Sequence, residues 1–113
     1  MCNKPVLDLV KQNVYSAAVQ VLGDKLEKIY LYGSYARGDY DEDSDIDIFI
    51  LADIPQEEAG KTRNKINDLR GYFDLEHDVI VSVHVTGSEI FNGYRSILPF
   101  YMNVLKDGVE INA

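Results

Sequence analysis

The run Asp45-Ile46-Asp47-Ile48-Phe49-Ile50-Leu51 constrains the fold more than any other segment. Its side chains alternate, so an extended strand turns both aspartates to one side and Ile46, Ile48 and Ile50 to the other. The two aspartate Cα atoms then lie about 6.6 Å apart, at about 3.3 Å of rise per residue. Carboxylates at that spacing can share one divalent ion or flank a pair of them. Magnesium is usually held by one or two carboxylates together with substrate phosphates. Upstream, Lys28-Ile29-Tyr30-Leu31-Tyr32 is a short β run that stops at Gly33-Ser34, and a polar loop from Arg37 to Ser44 joins the two. A glycine–serine turn ahead of paired acids on an apolar strand is a plausible device for holding a nucleoside triphosphate through magnesium.

The remaining periodicities build around these two strands. Val6, Leu9, Val10, Val14, Ala17 and Val21 recur at helical spacing, and Pro5 suits a first helical position. A helix is expected over 5–22, closed by Gly23. Pro55 opens a long polar helix through about Leu75, with Ile66, Leu69 and Phe73 as its buried stripe. Asp78 to Val85 reads as a third strand, with Val79, Val81, Val83 and Val85 on one face and Asp78, Ile80, Ser82 and His84 on the other. Gly87 to Asn92 reads as a turn or short helix. Pro99 begins a last helix that Gly108 closes, and Val109-Glu110-Ile111 adds a short strand. The order α-β-β-α-β-α defines a small α+β domain, a mixed sheet with helices packed on it.

At 113 residues the chain is expected to be one domain over 1–113. No run of about 18 apolar residues is present, so no membrane span is expected. Residues 1–10 lack the basic and apolar blocks of a signal peptide. The single Cys2 offers no disulfide framework, and the cytoplasm is the expected compartment. Nineteen Asp and Glu outnumber eleven Lys and Arg, for a net charge of −8. A protein that grips a nucleic-acid backbone needs a basic face to displace counterions, so direct nucleic-acid binding is not expected.

Gly33-Ser34, ten intervening residues and then Asp45-Ile46-Asp47 resemble the signature of the DNA polymerase beta-type nucleotidyltransferases. Within that superfamily the chain is similar to the minimal nucleotidyltransferase (MNT) domains, the MntA-like antitoxins of HEPN/MNT toxin–antitoxin systems. The resemblance covers nearly the whole length, including the ending Pro99-Phe100-Tyr101-Met102-Asn103-Val104-Leu105-Lys106-Asp107-Gly108-Val109. It implies a protein adenylyltransferase that moves AMP from ATP, with two Mg2+ ions, to a hydroxyl of a HEPN-domain toxin, by resemblance a tyrosine. It also implies roles for single residues. Gly33 lets backbone approach a phosphate where a Cβ would intrude, and Ser34 adds a hydroxyl and N–H groups at a helix start. Asp45 and Asp47 hold metal. The family's third acid corresponds to Asp78, at the head of the valine strand, as a metal ligand and proton acceptor. Glu76 has the same parity and competes for that place. Arg37 either contacts phosphate or pairs with Asp39 or Asp41.

Blander readings stand beside these. An Asp-x-Asp by itself is commonly a solvated loop, and a lone Gly-Ser is a turn; it is their combination that carries chemistry. The acidic loop from Asp41 is not a calcium loop, because its sixth position is Ile46 rather than glycine and its twelfth is Ala52. Ser44 reads as support for the strand start. His84 shares the face of Asp78 but lies about 20 Å along a straight strand, too far to share its ion. His77 reads as structural or exposed, and Tyr94 and Tyr101 as candidates for a partner surface. No phosphate loop of the Gly-x-x-x-x-Gly-Lys-Ser/Thr kind occurs, and two histidines with one cysteine do not make a usual structural zinc site. Two other functions fit the same residues: an antitoxin that acts by contact alone, and nucleotidylation of a small molecule by a homo-oligomer or with a separate helical subunit.

Overall fold

A computed structural model describes residues 4–38, 40–41 and 45–112. The expectations for Cys2, Asp39, Ser44 and the middle of the acidic loop fall outside those residues. Helix α1 (Lys4–Leu22) leads through a 3-10 turn to β1 (Leu26–Tyr32) and the single turn of α2 (Ser34–Arg37). Strand β2 (Ile46–Ala52) is followed by α3 (Ala59–Arg70), α4 (Phe73–Glu76) and β3 (Val81–Gly87). Helices α5 (Ser88–Tyr94) and α6 (Pro99–Asp107) and the two-residue β4 (Val109–Glu110) complete the chain.

The four strands form one mixed sheet in the order β3-β2-β1-β4. β1 pairs antiparallel with β2 and β4, whereas β2 and β3 run parallel. The alternation read from the sequence decides what each face meets. Ile29 and Leu31 of β1, Ile46, Ile48 and Ile50 of β2 and Val81 and Val83 of β3 pack on Val10, Val14, Ala17 and Ala18 of α1 and Ile66 of α3. Phe49 and Leu51 turn to the opposite face, where Phe91 of α5, Val104 and Tyr101 of α6 and Tyr30 and Tyr32 of β1 cover them. β2 is therefore buried on both faces over most of its length, which is why residues 48–52 are uniformly apolar. No described helix is long and apolar enough to cross a membrane.

Several expected boundaries move: β2 begins at Ile46 rather than Asp45, and α3 begins at Ala59, after a 3-10 turn, rather than at Pro55. The helix expected to run from Pro55 to Leu75 stops at Arg70, because Gly71 takes φ +60° and its N–H turns back to the Asp68 carbonyl. A residue with positive φ at this place is a common helix stop. Leu69, expected inside, is 53% exposed; the buried stripe is Ala59, Thr62, Ile66 and Arg70. The third strand begins three residues later than expected. Asp78 has φ +53°, its N–H reaches the Leu75 carbonyl, and the Val79 N–H reaches the Asp74 carbonyl. The chain is still turning off α4 there, so Asp78 is not extended.

A buried polar brace holds that turn. The Arg70 side chain is only 5% exposed. Its Nε donates to Asn13 on α1 at 2.8 Å, and its Nη2 donates to Asp74. The other Asp74 carboxylate oxygen accepts the Val81 N–H at 3.2 Å, where β3 begins. One charge pair thus ties α1, α3, α4 and the first residue of β3 together.

Candidate active site

The acid pair stands where β1 ends and β2 begins. Tyr32, last in β1, pairs with Asp47 across the antiparallel ladder. Gly33 follows with φ +74° and ψ −152°, a conformation that L side chains rarely adopt. A Cβ on Gly33 would come within 2.5 Å of the Asp47 Oδ2. Glycine is required here by the carboxylate as well as by the backbone turn. Ser34 then opens α2, whose turn is closed by hydrogen bonds from Arg37 N–H to Gly33 O and from Gly38 N–H to Ser34 O. The first N–H groups of such a turn have no partner inside it and point outward.

Asp45 is exposed and Asp47 half-buried. Burial pushes the Asp47 carboxyl above its ordinary range; Asp45 pushes it the same way, while His84 and Arg37 pull it back. Gly33, Arg37, Asp45 and Asp47 are therefore near one another. Tyr32 lies there too: burial, and then the Asp47 charge, push its phenol well above the usual tyrosine range.

The third carboxylate stands differently. β3 enters the ladder with Val81 opposite Ile46 and Ser82 opposite Asp47. The positions of β3 that share the Asp47 face are therefore Ser82, His84 and Thr86, and none is an acid. Ile80, whose carbonyl accepts the Ile46 N–H, occupies the place beside Asp45. Asp78 is exposed in the turn before the strand, and Glu76 is exposed at the end of α4. Among the described residues, no three His, Cys, Asp or Glu side chains are grouped to hold a metal ion. The pair Asp45 and Asp47 could hold a cation, which would relieve their mutual repulsion and the partial burial of Asp47.

Two features escaped the sequence. Along one straight strand His84 lies far from Asp78, yet parallel pairing sets it diagonally beside Asp47, one pair further on. Phe100, at the start of α6, is 43% exposed and spans the three strands. Its ring centroid lies 5.6 Å from Tyr32, 5.9 Å from Phe49 and 6.2 Å from His84. The shared parity of Asp47, Phe49, Ser82 and His84 was the available signal, but only the register turns it into proximity.

A mixed sheet layered between two helix pairs, with a glycine turn against an acid of the central strand, has the arrangement of a nucleotidyltransferase-type fold. Residues 16–109 match the family described as nucleotidyltransferase domain, and the chain belongs to that family. Two relatives from Methanocaldococcus jannaschii, both provisionally named protein adenylyltransferases, are similar to it. MJ0604 is 38% identical over 74% of this chain and 76% of its own length. MJ0141 is 42% identical over 55% of this chain, and the matched region spans 61% of that relative's length. A solved toxin–antitoxin structure with AMP-PNP shares the fold, with a TM-score of 0.58 and 20% identity, over 91% of this chain and 73% of that one.

Proposed function

We propose that this chain is a magnesium-dependent nucleotidyltransferase that moves AMP from ATP to a hydroxyl of a protein partner and so acts as an antitoxin. The acceptor in this reading is a tyrosine of a HEPN-domain toxin. The observation that carries the proposal is the fit of Gly33 against Asp47 beside Asp45: a turn able to receive phosphate, in contact with an acid pair able to hold a cation. The provisional names of the M. jannaschii relatives support a protein acceptor. The occurrence of this fold in a toxin–antitoxin complex supports a toxin as partner.

In this reading Gly33 and Ser34 receive the polyphosphate, and Arg37 at the end of α2 adds a positive charge beside it. Asp45 and Asp47 hold the magnesium, which when bound neutralises phosphate charge and polarises the α-phosphorus. Asp78 is assigned the third-acid role by the family resemblance, although it stands in the turn before β3 and is not grouped with Asp45 and Asp47. The acceptor oxygen forms a bond to the α-phosphorus, the bond to the bridging oxygen breaks, and pyrophosphate leaves with the electron pair. The hydroxyl proton passes to a carboxylate or to water.

Incubation with labelled ATP, magnesium and the candidate toxin tests this directly. Label and an AMP mass increment on the toxin are expected, both lost in Asp45→Asn. An unlabelled toxin, with Asp45→Asn behaving as native, would defeat the proposal. The absence of a three-acid group among the described residues favours one second reading, an antitoxin acting by contact alone. It requires Asp45→Asn and Asp47→Asn to neutralise the toxin in cells as well as native protein does.

A further inference from the structure

We infer that Phe100 and His84 form the seat for an aromatic acceptor ring, a tyrosine side chain, on the side of the acid pair away from the phosphate turn. The inference rests on the transfer reading above. β2 carries the acids and lies between β1 and β3. Gly33 and Ser34 belong to the β1 side, and His84 belongs to the β3 side. In-line displacement places the attacking oxygen opposite the leaving one. With polyphosphate held at Gly33–Ser34, the acceptor must approach over β3.

The surface waiting there is aromatic rather than acidic. Ser82 is half-buried and His84 exposed on the Asp47 face, and Phe100 stands over them from α6 with 43% of its surface open. Phe100 meets Tyr32 edge-on, at 87° between ring planes, and lies tilted at 58° to His84. Aromatic rings favour centroid separations of about 4.5–7 Å in offset or edge-to-face arrangements, so the open face of Phe100 beside exposed His84 can take a third ring of that kind. A phenol packed there shares the sheet face of Asp47, which pairs with Ser82, two residues along β3 from His84, whereas a short aliphatic alcohol leaves the rings unmatched. The phenolic oxygen then bonds to the α-phosphorus as pyrophosphate departs with the electron pair of the broken bond, and the phenolic proton goes to a carboxylate or to water. Adenine has the same planar aromatic chemistry, so the test must separate the two.

N-acetyltyrosinamide binding is measured by saturation-transfer NMR with magnesium and a non-hydrolysable ATP analogue present. Labelled AMP transfer from ATP is compared for N-acetyltyrosinamide and N-acetylserinamide. Native protein is expected to bind the tyrosine compound and to prefer it over the serine compound in transfer. Phe100→Ala should weaken that binding about 3- to 10-fold while leaving affinity for the ATP analogue unchanged, and Phe100→Tyr, which keeps a ring, should restore it. His84→Ala should act in the same direction, and melting curves establish that each variant is folded. Tyrosinamide binding indifferent to both alanine variants overturns the inference alone, as does equal use of the serine compound. Loss of nucleotide affinity in Phe100→Ala assigns the rings to adenine and overturns it as well. Failure of native protein to bind the magnesium–ATP analogue overturns the transfer reading, and this inference with it.

Discussion

The two ends of the acid site are built on opposite principles. Where β1 meets β2, Asp47 is fixed by the antiparallel ladder: Tyr32 pairs with it, and Gly33 presses on its carboxylate. Where α4 meets β3, the expected acid sits in an irregular turn with φ +53°, and the strand begins only at Val81. A rigid strand positions a ligand better than a turn does. The first region should therefore tolerate almost no change in its acids, and the second should act mainly by placing β3.

The largest expected effect breaks the comparison at its stronger end. Asp45→Asn and Asp47→Asn should each lower AMP transfer by about 100-fold or more, the scale seen when a preorganised electrostatic group is removed. Magnesium with ATP should raise the melting temperature of native protein, because ligands of the native state alone stabilise it, and each substitution should abolish that rise. Asp78→Asn is the matched comparison. An effect about tenfold smaller is expected for an acid held in a turn rather than on a strand, and transfer assays on the three variants measure it. Equal losses would show that Asp78 is drawn into the site once nucleotide binds.

The next effect concerns stability at the weaker end. Asp74→Ala removes the partner of an Arg70 side chain that is only 5% exposed, and frees the Val81 N–H that Asp74 accepts. Breaking a buried pair costs about 3 kcal/mol, because a buried charge is left uncompensated. Urea unfolding should report that loss. Arg70→Met with Asp74→Leu, which removes both charges, should cost less than Asp74→Ala, and a larger cost would refute the account.

The same contrast explains what was legible in the sequence. The α+β order, the three main strands and the turn–acid pairing could be read because strand alternation and glycine carry their geometry locally. Asp45 and Asp47 share a face wherever the chain is extended through both. The break at Gly71 was missed because Leu69 and Phe73 continue a helical period across it, and a glycine inside a polar helix is often tolerated. The start of β3 was misplaced because Val79 extends the valine alternation, although Asp74 and Leu75 capture the backbone of residues 78 and 79. His84 and Phe100 were invisible as neighbours of Asp47. Their proximity depends on parallel register and on how α6 packs, and neither is written in any local pattern.

The smallest effect separates the chemistry of Asp47 from its cost to the fold. Burial and Asp45 hold its carboxyl above the ordinary value of 3.8 in the native state. The native state therefore binds more protons than the unfolded chain between that value and the raised one, and stability falls as pH rises through this window. Below it both states are protonated and the penalty is absent; above it the penalty is fully present. Without magnesium, Asp47→Asn should therefore melt higher than native protein at neutral pH, and the gap should close on acidification to about pH 4. Adding magnesium should narrow the gap from the other side, by stabilising only the native carboxylate pair. One substitution then removes activity and raises stability, the pairing expected of a residue kept for its charge. An Asn variant that melts lower at neutral pH would mean that Asp47 holds the β1–β2 junction together rather than straining it.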